Sequence, residues 1–240
     1  MTDNVPYVIE ETNDFAVVFK PPRMHSAPLA KKEGGTLLDW FTARGQALSP
    51  QTSVHLMHRL DFDTHGLVLF AKNIKSFEFF KDLQDKGGFV KEYSAVCCSV
   101  PEASPVPGFP PPPALAAHAP SPENPLIIES YFRPFGPGRK LVRPVIEEGK
   151  KSRETAKDNG GFYRTEIIGI SGNIFSLRLK RGFRHQIRCH LCWAARPILN
   201  DPLYPQPVES DAPPMSLRAC ALSFVDPSTG KQREYRIDKF

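Results

Sequence analysis

The sequence has no long apolar run. No stretch of about 18 apolar residues occurs among its 240 residues, which predicts that the chain does not span a membrane. Residues 1–6 contain neither a basic nor an apolar segment, so a signal peptide is not expected. The five cysteines are odd in number and follow no disulfide-framework spacing, which favours reduced thiols in a cytoplasmic protein.

The composition is that of an ordinary globular protein with an excess of positive charge. Hydrophobic residues make up 40% and charged residues 24%, enough for a substantial core. The net charge of +5 suits a phosphate-rich partner, because each Lys or Arg placed on a phosphate releases counterions. The basic residues form two stretches, one with Arg139, Lys140, Arg143, Lys150, Lys151, Arg153 and Lys157, the other with Arg178, Lys180, Arg181, Arg184 and Arg188. The first could equally be solvated surface charge.

The hydrophobic pattern predicts more strands than helices. Strands are expected at 7–9, 15–19, 66–72, 89–100, 174–180, 219–225 and 234–237. Helices are expected at 36–43, at 74–86 with Asn73 as its cap, and at 185–195. Because strands and helices do not alternate regularly, the pattern favours an α+β fold over a parallel doubly wound sheet.

Residues 101–125 differ from the rest in composition. They contain the run Pro110-Pro111-Pro112-Pro113 among further prolines, alanines and serines. Such a stretch cannot build a ladder or a helix, so it is interpreted as an extended loop or a disordered insertion. Binding to a proline-recognising domain is the less favoured alternative.

Two polar segments stand beside predicted core elements, at 55–66 and at 181–190. The second is a strand–glycine–helix junction with arginines, a natural place for an anion. The first allows three interpretations: a metal site, a structural turn, or a catalytic carboxylate at Asp61 held ionised by an arginine from elsewhere. No spacing there matches an established metal-ligand pattern. Cys189 and Cys192 with His185 could also suggest a metal, but small core residues are favoured.

The first segment begins a long run with fixed spacing, His58-Arg59-Leu60-Asp61-x-x-Thr64-x-Gly66-Leu67-x-Leu69-x-Ala71-Lys72. This run resembles the signature of the RluA family of pseudouridine synthases. Further matches follow in order: the opening 15–22, then Lys91-Glu92-Tyr93-x-Ala95, then His185-Gln186-Ile187-Arg188-x-His190, then Pro197-Ile198-x-x-Asp201-x-Leu203-Tyr204. The resemblance therefore runs from about residue 7 to the C-terminus, interrupted by the proline-rich insertion.

The resemblance implies an α+β fold with a mixed, mostly antiparallel sheet and a central RNA-binding cleft. It assigns catalysis to Asp61, to Tyr93, which would stack on the uracil, and to Arg188 as the basic partner of the aspartate. Arg59 would help to displace the target base. The other residues expected to bind substrate are His58, Thr64, Arg184, His185 and Gln186. No metal and no cofactor are implied.

The sequence departs from the family pattern at four places. His65 stands where serine is usual, and Phe183-Arg184 replaces an arginine followed by another residue. Ala195-Arg196 and Asn200-Asp201 replace Gly-His and Gly-Asp. On a tight turn, moving an arginine by one position changes its direction. These departures put the RNA-facing surface in question and leave Asp61, Tyr93 and Arg188 in place.

We therefore expect a single catalytic domain over residues 1–240, without a separate N-terminal RNA-binding domain, acting as a cytoplasmic monomer without an obligate protein partner. It would convert uridine to pseudouridine in structured RNA, either rRNA or tRNA. One alternative is an RNA-binding protein of the same fold with little or no turnover, motivated by Phe183-Arg184. A metal-dependent hydrolase using the His/Asp cluster is the least favoured alternative.

Overall fold

The computed structural model describes residues 4–29, 34–46, 53–98, 106–146, 162–204 and 212–240. Its elements are, in chain order, β1 (Tyr7–Glu11), β2 (Phe15–Lys20), α1 (Leu37–Gln46), β3 (His55–Leu56), β4 (His65–Ala71), α2 (Ile74–Asp85), β5 (Val90–Val96), β6 (Leu126–Phe135), a 3-10 turn (Pro137–Arg139), β7 (Leu141–Val145), β8 (Tyr163–Ser171), β9 (Ile174–Leu179), α3 (Gln186–Trp193), β10 (Leu217–Val225) and β11 (Gln232–Arg236).

The chain divides into two compact units. The first comprises Met1–Tyr93 and Leu217–Lys239, and the second comprises Ser94–Ser216 and Phe240. The first unit is thus discontinuous in sequence, because β10 and β11 return to it after the second unit is complete. The expectation of one catalytic domain over 1–240 stays a prediction.

The first unit contains a sheet built around β2 and β4. β2 pairs antiparallel with β1 and with β4, and β3 adds a short antiparallel contact to β4. β4 pairs parallel with β10, which pairs antiparallel with β11. All seven residues of β4 are buried, as the continuous apolar run predicted. The parallel pair makes the sheet mixed, and the other four pairs make it mostly antiparallel.

An aromatic core fills the space between this sheet and α2. Phe15, Phe80 and Phe224 contact one another edge to face, with ring centroids 5.3 to 6.1 Å apart. The predicted cap of α2 is confirmed, since the Asn73 side chain accepts a hydrogen bond from the backbone N–H of Ser76 at 2.8 Å. The cap therefore fixes the start of α2, and Phe80 packs the helix into the same core as the side chains of β4.

The second unit is an antiparallel sheet with one helix. β8 pairs with β9 and with β6, and β6 pairs with β7. Phe175, Leu177 and Leu179 are buried along β9, as the alternation of that strand predicted. Together the two units confirm the predicted α+β class with a mixed, mostly antiparallel sheet. No helix within the described residues is long and apolar enough to cross a membrane.

The proline-rich stretch is an extended loop in its described part, 106–125. The indole N–H of Trp193 donates to the carbonyl oxygens of Pro110 and Pro111 at 3.1 and 2.8 Å. Arg178 donates to the carbonyl oxygen of Pro122 at 2.8 Å. The loop is therefore attached to α3 and to β9. Of the first basic stretch, Lys150, Lys151, Arg153 and Lys157 lie outside the described residues.

Candidate active site

Asp61 lies in the loop between β3 and β4, and this loop is held by the backbone on both sides of the aspartate. Before it, the Ser26 hydroxyl donates to the carbonyl oxygen of Leu60 at 2.8 Å and accepts from its N–H at 3.0 Å. After it, the carbonyl oxygen of Phe62 accepts from the N–H of Met24 at 3.2 Å. The carboxylate is half-buried. Its loop is thus rigid while its side chain keeps access to solvent.

A buried lysine, Lys20, adds a further attachment beneath this loop. Its ammonium donates to three carbonyl oxygens, those of Pro21 (2.9 Å), Met24 (2.7 Å) and Phe62 (3.2 Å). Burial lowers the pKa of Lys20 to about 7, and the negative charges of Asp61 and Asp63 oppose that shift. The sequence analysis did not predict this role. The available signal was the position of Lys20, at the end of an otherwise apolar strand and directly before Pro21-Pro22.

The strand after the loop is fixed where β4 meets β10. Gly66 has φ +122°, and a Cβ there would lie 2.2 Å from the carbonyl oxygen of Ala219. Only glycine permits this close approach. One residue earlier, Nε of Arg218 donates to Nε2 of His65 at 2.9 Å. The residue that departs from the family pattern at position 65 therefore has its own partner on β10.

Tyr93 lies at the end of the first unit, near Asp61. Its side chain is buried, and burial raises the pKa of its phenol, with the negative charge of Asp61 raising it further. Both residues belong to the first unit, and the charge of Asp61 acts on the phenol of Tyr93. The phenol is neutral at physiological pH and can donate a hydrogen bond.

His58 is a structural contact of the loop. Its Nε2 accepts a hydrogen bond from the N–H of Leu69 at 3.2 Å, and its ring packs edge-on against Phe89 at 5.3 Å. Burial lowers the pKa of His58 to about 3, and the nearby positive charge of Lys91 lowers it as well. His58 is therefore neutral at physiological pH and anchors the loop to β4.

Arg59 and Thr64 have opposite surroundings. Arg59 is exposed, and its guanidinium has no hydrogen-bond or ion-pair partner among the residues that the structure describes. Thr64 is buried, and its N–H donates to the carbonyl oxygen of Asp61 at 3.2 Å, which closes the loop. Arg59 is thus available to a ligand, whereas Thr64 shapes the backbone.

In the second unit, Arg188 forms a buried ion pair with Asp201. Its Nε and Nη2 donate to the two carboxylate oxygens at 2.8 and 2.7 Å, and the two side chains are 3% and 0% exposed. Asp201 Oδ1 also accepts from the N–H groups of Leu203 and Tyr204. Such a bidentate pair fixes the plane of the guanidinium. The pairing of Arg188 with Asp61 stays a prediction.

Gln186 and Arg184 hold the start of α3. The side-chain oxygen of Gln186 accepts from the N–H of Phe183 at 2.9 Å, and its amide donates to the carbonyl oxygen of Arg164 and to the hydroxyl of Thr165. Arg184 is exposed, and its Nη2 donates to the carbonyl oxygens of Arg139 and Leu141. His185 caps α3 in the left-handed conformation at φ +56°. In this structure the three residues make the turn that orients the helix.

Phe183, at one of the positions that depart from the family pattern, packs among aromatic rings. Its ring stacks on Phe132, with centroids 5.1 Å apart and planes 6° apart, and also contacts Tyr163 at 4.9 Å. His190 lies beside Phe132 at 4.8 Å and is fixed by Thr165 and Ser130. A side chain at this position must therefore fit among aromatic rings.

The cysteines of α3 are core residues. Cys189 and Cys192 pack with Val142 and Tyr204, and burial raises the pKa of both thiols, that of Cys192 to about 12. Protonated thiols are poor metal ligands. Across the part of the chain that the structure describes, no three His, Cys, Asp and Glu side chains gather as metal ligands would.

Two solved structures share the fold of this chain. The human proteins "RNA pseudouridylate synthase domain containing" 4 and 1 superpose with TM-scores of 0.63 and 0.64 at 17% and 18% identity. The matches cover 97% and 100% of this chain and 88% and 85% of those chains. At this identity they define the fold alone, that of a pseudouridylate synthase.

The sequence identifies the family. The family described as RNA pseudouridylate synthase matches residues 14–193, and the chain belongs to it. Relatives named ribosomal large subunit pseudouridine synthase D are 26% identical in Buchnera aphidicola (82% of this chain) and in Pasteurella multocida (97%). The chain spans 53% and 67% of the length of these relatives. The family resemblance drawn from the Asp61 and Arg188 motifs is confirmed.

Proposed function

We propose that the chain converts uridine to pseudouridine in structured RNA, with Asp61 as the catalytic carboxylate. The observation that carries this proposal is the Asp61 loop, which Ser26 and Lys20 hold rigidly beside Tyr93 in a chain that matches the family over 14–193. A fixed carboxylate beside an aromatic ring suits chemistry on a ribose whose base needs a stacking surface.

The reaction requires one carboxylate. Asp61 attacks the sugar or removes a sugar proton, the bond between uracil N1 and ribose C1′ breaks, and the uracil turns so that its C5 bonds to C1′. The proton displaced from C5 leaves, and N1 ends the reaction bearing a proton, so the product is an isomer of the substrate. Because no water is added, the second carboxylate of a glycosidase is unnecessary.

Tyr93 is proposed to stack on the uracil and to assist the loss of the proton. Since burial and Asp61 raise the pKa of its phenol, Tyr93 acts as a neutral group that relays a proton. Arg59, exposed beside the loop, is proposed to help to displace the target base from its stack. Arg188 is proposed to supply positive charge, and its bidentate pair with Asp201 orients it in advance.

The proposed substrate is rRNA or tRNA. The relatives' names refer to the large ribosomal subunit, which favours rRNA. Cytoplasmic location and a monomeric state remain part of the proposal, and all five cysteines are free thiols. Low turnover is the second candidate, because Phe183 fills an aromatic cluster and Arg184 is bound to carbonyl oxygens.

Mapping of pseudouridines in cellular RNA tests the proposal. Cells lacking the protein are complemented with the wild type, with Asp61→Ala, or with Asp85→Ala, a matched control at an exposed aspartate at the end of α2. We expect sites lost in the deletion strain to return with the wild type and the control and to stay absent with Asp61→Ala. Restoration by Asp61→Ala would remove the catalytic assignment, and the absence of any lost site would favour the low-turnover candidate.

A further inference from the structure

Two arginines face each other across the β6–β7 hairpin of the second unit. Arg133 and Arg143 are directly opposite in the antiparallel register. Nη1 of Arg143 donates to the carbonyl oxygen of Gly108 at 2.8 Å, and its guanidinium lies 5.9 Å from the ring centre of Phe135. Nε of Arg133 is buried and has no hydrogen-bond partner among the described residues.

This arrangement is unfavourable without an anion. Like charges directly opposite on neighbouring strands repel each other, and a buried N–H without an acceptor costs free energy. Within the described ranges, neither arginine forms an ion pair. Glu129, two positions from Tyr131 on the same face of β6, pairs instead with Arg164 at 3.6 Å. The hairpin therefore presents two arginines in directly opposite positions, and no carboxylate of the described residues pairs with either of them.

Aromatic rings lie on the same face of the hairpin. Tyr131 is two residues from Arg133 on β6, so both side chains leave the strand on one side. Phe162 packs against Tyr131 with ring centroids 4.2 Å apart, yet half of Phe162 is exposed. An exposed aromatic ring backed by a second ring offers a surface on which a flat, apolar group can stack.

We propose that this face of the hairpin binds an unpaired segment of the RNA substrate. Arg133 and Arg143 would hold one or two backbone phosphates, and Phe162, supported by Tyr131, would stack on a base. We call these four residues, Tyr131, Arg133, Arg143 and Phe162, the hairpin face. This proposal rests on the proposed function, because the RNA that would bind here is the substrate of the pseudouridine reaction.

Unpaired RNA fits the hairpin face better than a duplex does. In a duplex the bases are stacked on one another and their faces are covered, whereas a loop or bulge offers free faces to an aromatic side chain. Phosphates supply a negative charge that neither arginine finds among the described residues. Stacking with phosphate contacts is the general mode by which proteins hold single-stranded nucleic acid.

Binding of labelled RNA to the full chain tests the hairpin face. The probes are a single-stranded oligoribonucleotide of about 12 nucleotides and a duplex of equal length. The variants are Arg133→Gln with Arg143→Gln, and Phe162→Ala. A control with the same loss of charge is Lys81→Gln with Lys231→Gln, two exposed lysines of the first unit. Affinity is measured by fluorescence anisotropy over a series of salt concentrations.

The two kinds of variant should differ in their salt dependence. Loss of both arginines should weaken single-strand binding and reduce the slope of log affinity against log salt by about 0.7 for one phosphate or about 1.4 for two. Phe162→Ala should weaken binding about tenfold without changing the slope, because stacking releases no counterions. The lysine control should retain wild-type affinity.

The outcomes separate this proposal from the proposed function. Wild-type affinity and slope in the arginine double variant, or equal binding of duplex and single strand, would overturn the hairpin face. None of these results bears on Asp61. Conversely, an Asp61→Ala protein that still makes pseudouridine would overturn the catalytic assignment, whether or not the hairpin face binds RNA.

Discussion

Arg218 and His65 join β10 to β4 by a hydrogen bond of 2.9 Å from Nε to Nε2, directly beside the parallel contact of Gly66 with Ala219. The bond requires the neutral imidazole to carry its proton on Nδ1. The bond involves the first residue of β4, the strand that follows the Asp61 loop. His65 stands at the position where the family usually has serine.

A double-mutant cycle measures this bond. His65→Ser removes the acceptor and Arg218→Gln removes the donor, and each should lower the free energy of unfolding. We expect a coupling of about 1 kcal/mol, because Arg218 is partly exposed. Urea unfolding of the four proteins gives the value. Additive single effects would show that the bond contributes nothing to stability.

Gly66→Ala should be among the most damaging substitutions in the first unit. Its Cβ would lie 2.2 Å from a backbone oxygen, and φ is +122°. We expect a loss of at least about 3 kcal/mol in the free energy of unfolding. Gly169→Ala is the control, because its Cβ would meet only the Ser176 side chain at 3.7 Å. Similar melting temperatures for both variants would contradict the assigned close approach.

Lys20 should make stability depend on pH. Burial lowers its folded-state pKa from 10.5 to about 7. Between these values the unfolded chain keeps a proton that the folded protein has lost, so stability should rise with pH through this group. Below about pH 7 both states are protonated and the contribution is constant.

Comparison of pH profiles isolates this contribution. Lys20→Met should be less stable than the wild type near neutral pH, since three carbonyl oxygens lose their donor, and should lack the rise, which is at most about 2.7 kcal/mol between pH 7 and 9. Lys231→Met, at an exposed lysine, should keep it. Urea unfolding from about pH 6 to 9.5 provides the profiles. A rise retained in Lys20→Met would assign it to another group.

The ion pair of Arg188 with Asp201 should be strongly coupled. Asp201→Ala leaves a buried guanidinium without its carboxylate and should cost about 3–5 kcal/mol. The double variant Arg188→Leu with Asp201→Ala should cost less than the sum of the single changes. Chemical unfolding of all four proteins checks this. A double variant that loses the full sum would mean that the two side chains act independently.

Trp193→Phe should loosen the proline-rich loop. The substitution keeps an aromatic ring and removes the indole N–H that donates to Pro110 and Pro111, at a cost of about 1 kcal/mol. Cleavage by chymotrypsin after Leu115 should become faster than in the wild type. Trp40→Phe is the control on α1. Equal cleavage rates in all three proteins would show that the indole bonds do not restrain the loop.

Features encoded by short stretches of sequence were predicted correctly. The Asn73 cap, the buried strand β4 and the alternation of β9 depend on residues a few positions apart. The Asp61 loop was found in the same way, from one continuous motif. By contrast, Ile74 follows the helical spacing but is 56% exposed, because it lies in the first turn of α2, beyond the core around Phe80.

Features that depend on distant residues were missed. Lys20 binds the carbonyl oxygen of Phe62, 42 residues away, and no local pattern announces that contact. Judged alone, an arginine on a helix such as Arg188 would be assigned to the surface. In the structure it is buried in an ion pair with Asp201. The hairpin of β6 and β7 was overlooked because Pro134 and Pro144 interrupt its strands, and β7 tolerates proline as the last strand of its sheet.

The discontinuity of the first unit sets a time order during synthesis on the ribosome. Ser94–Ser216 is contiguous and can begin to fold once it has emerged, whereas β4 meets β10 only after Leu217–Lys239 has followed. Until then Gly66 lacks Ala219 and His65 lacks Arg218. The carboxylate loop therefore gains its final support only after β10 has been made, so a truncated chain that lacks β10 would carry the whole Asp61 motif without the strand that pairs with β4.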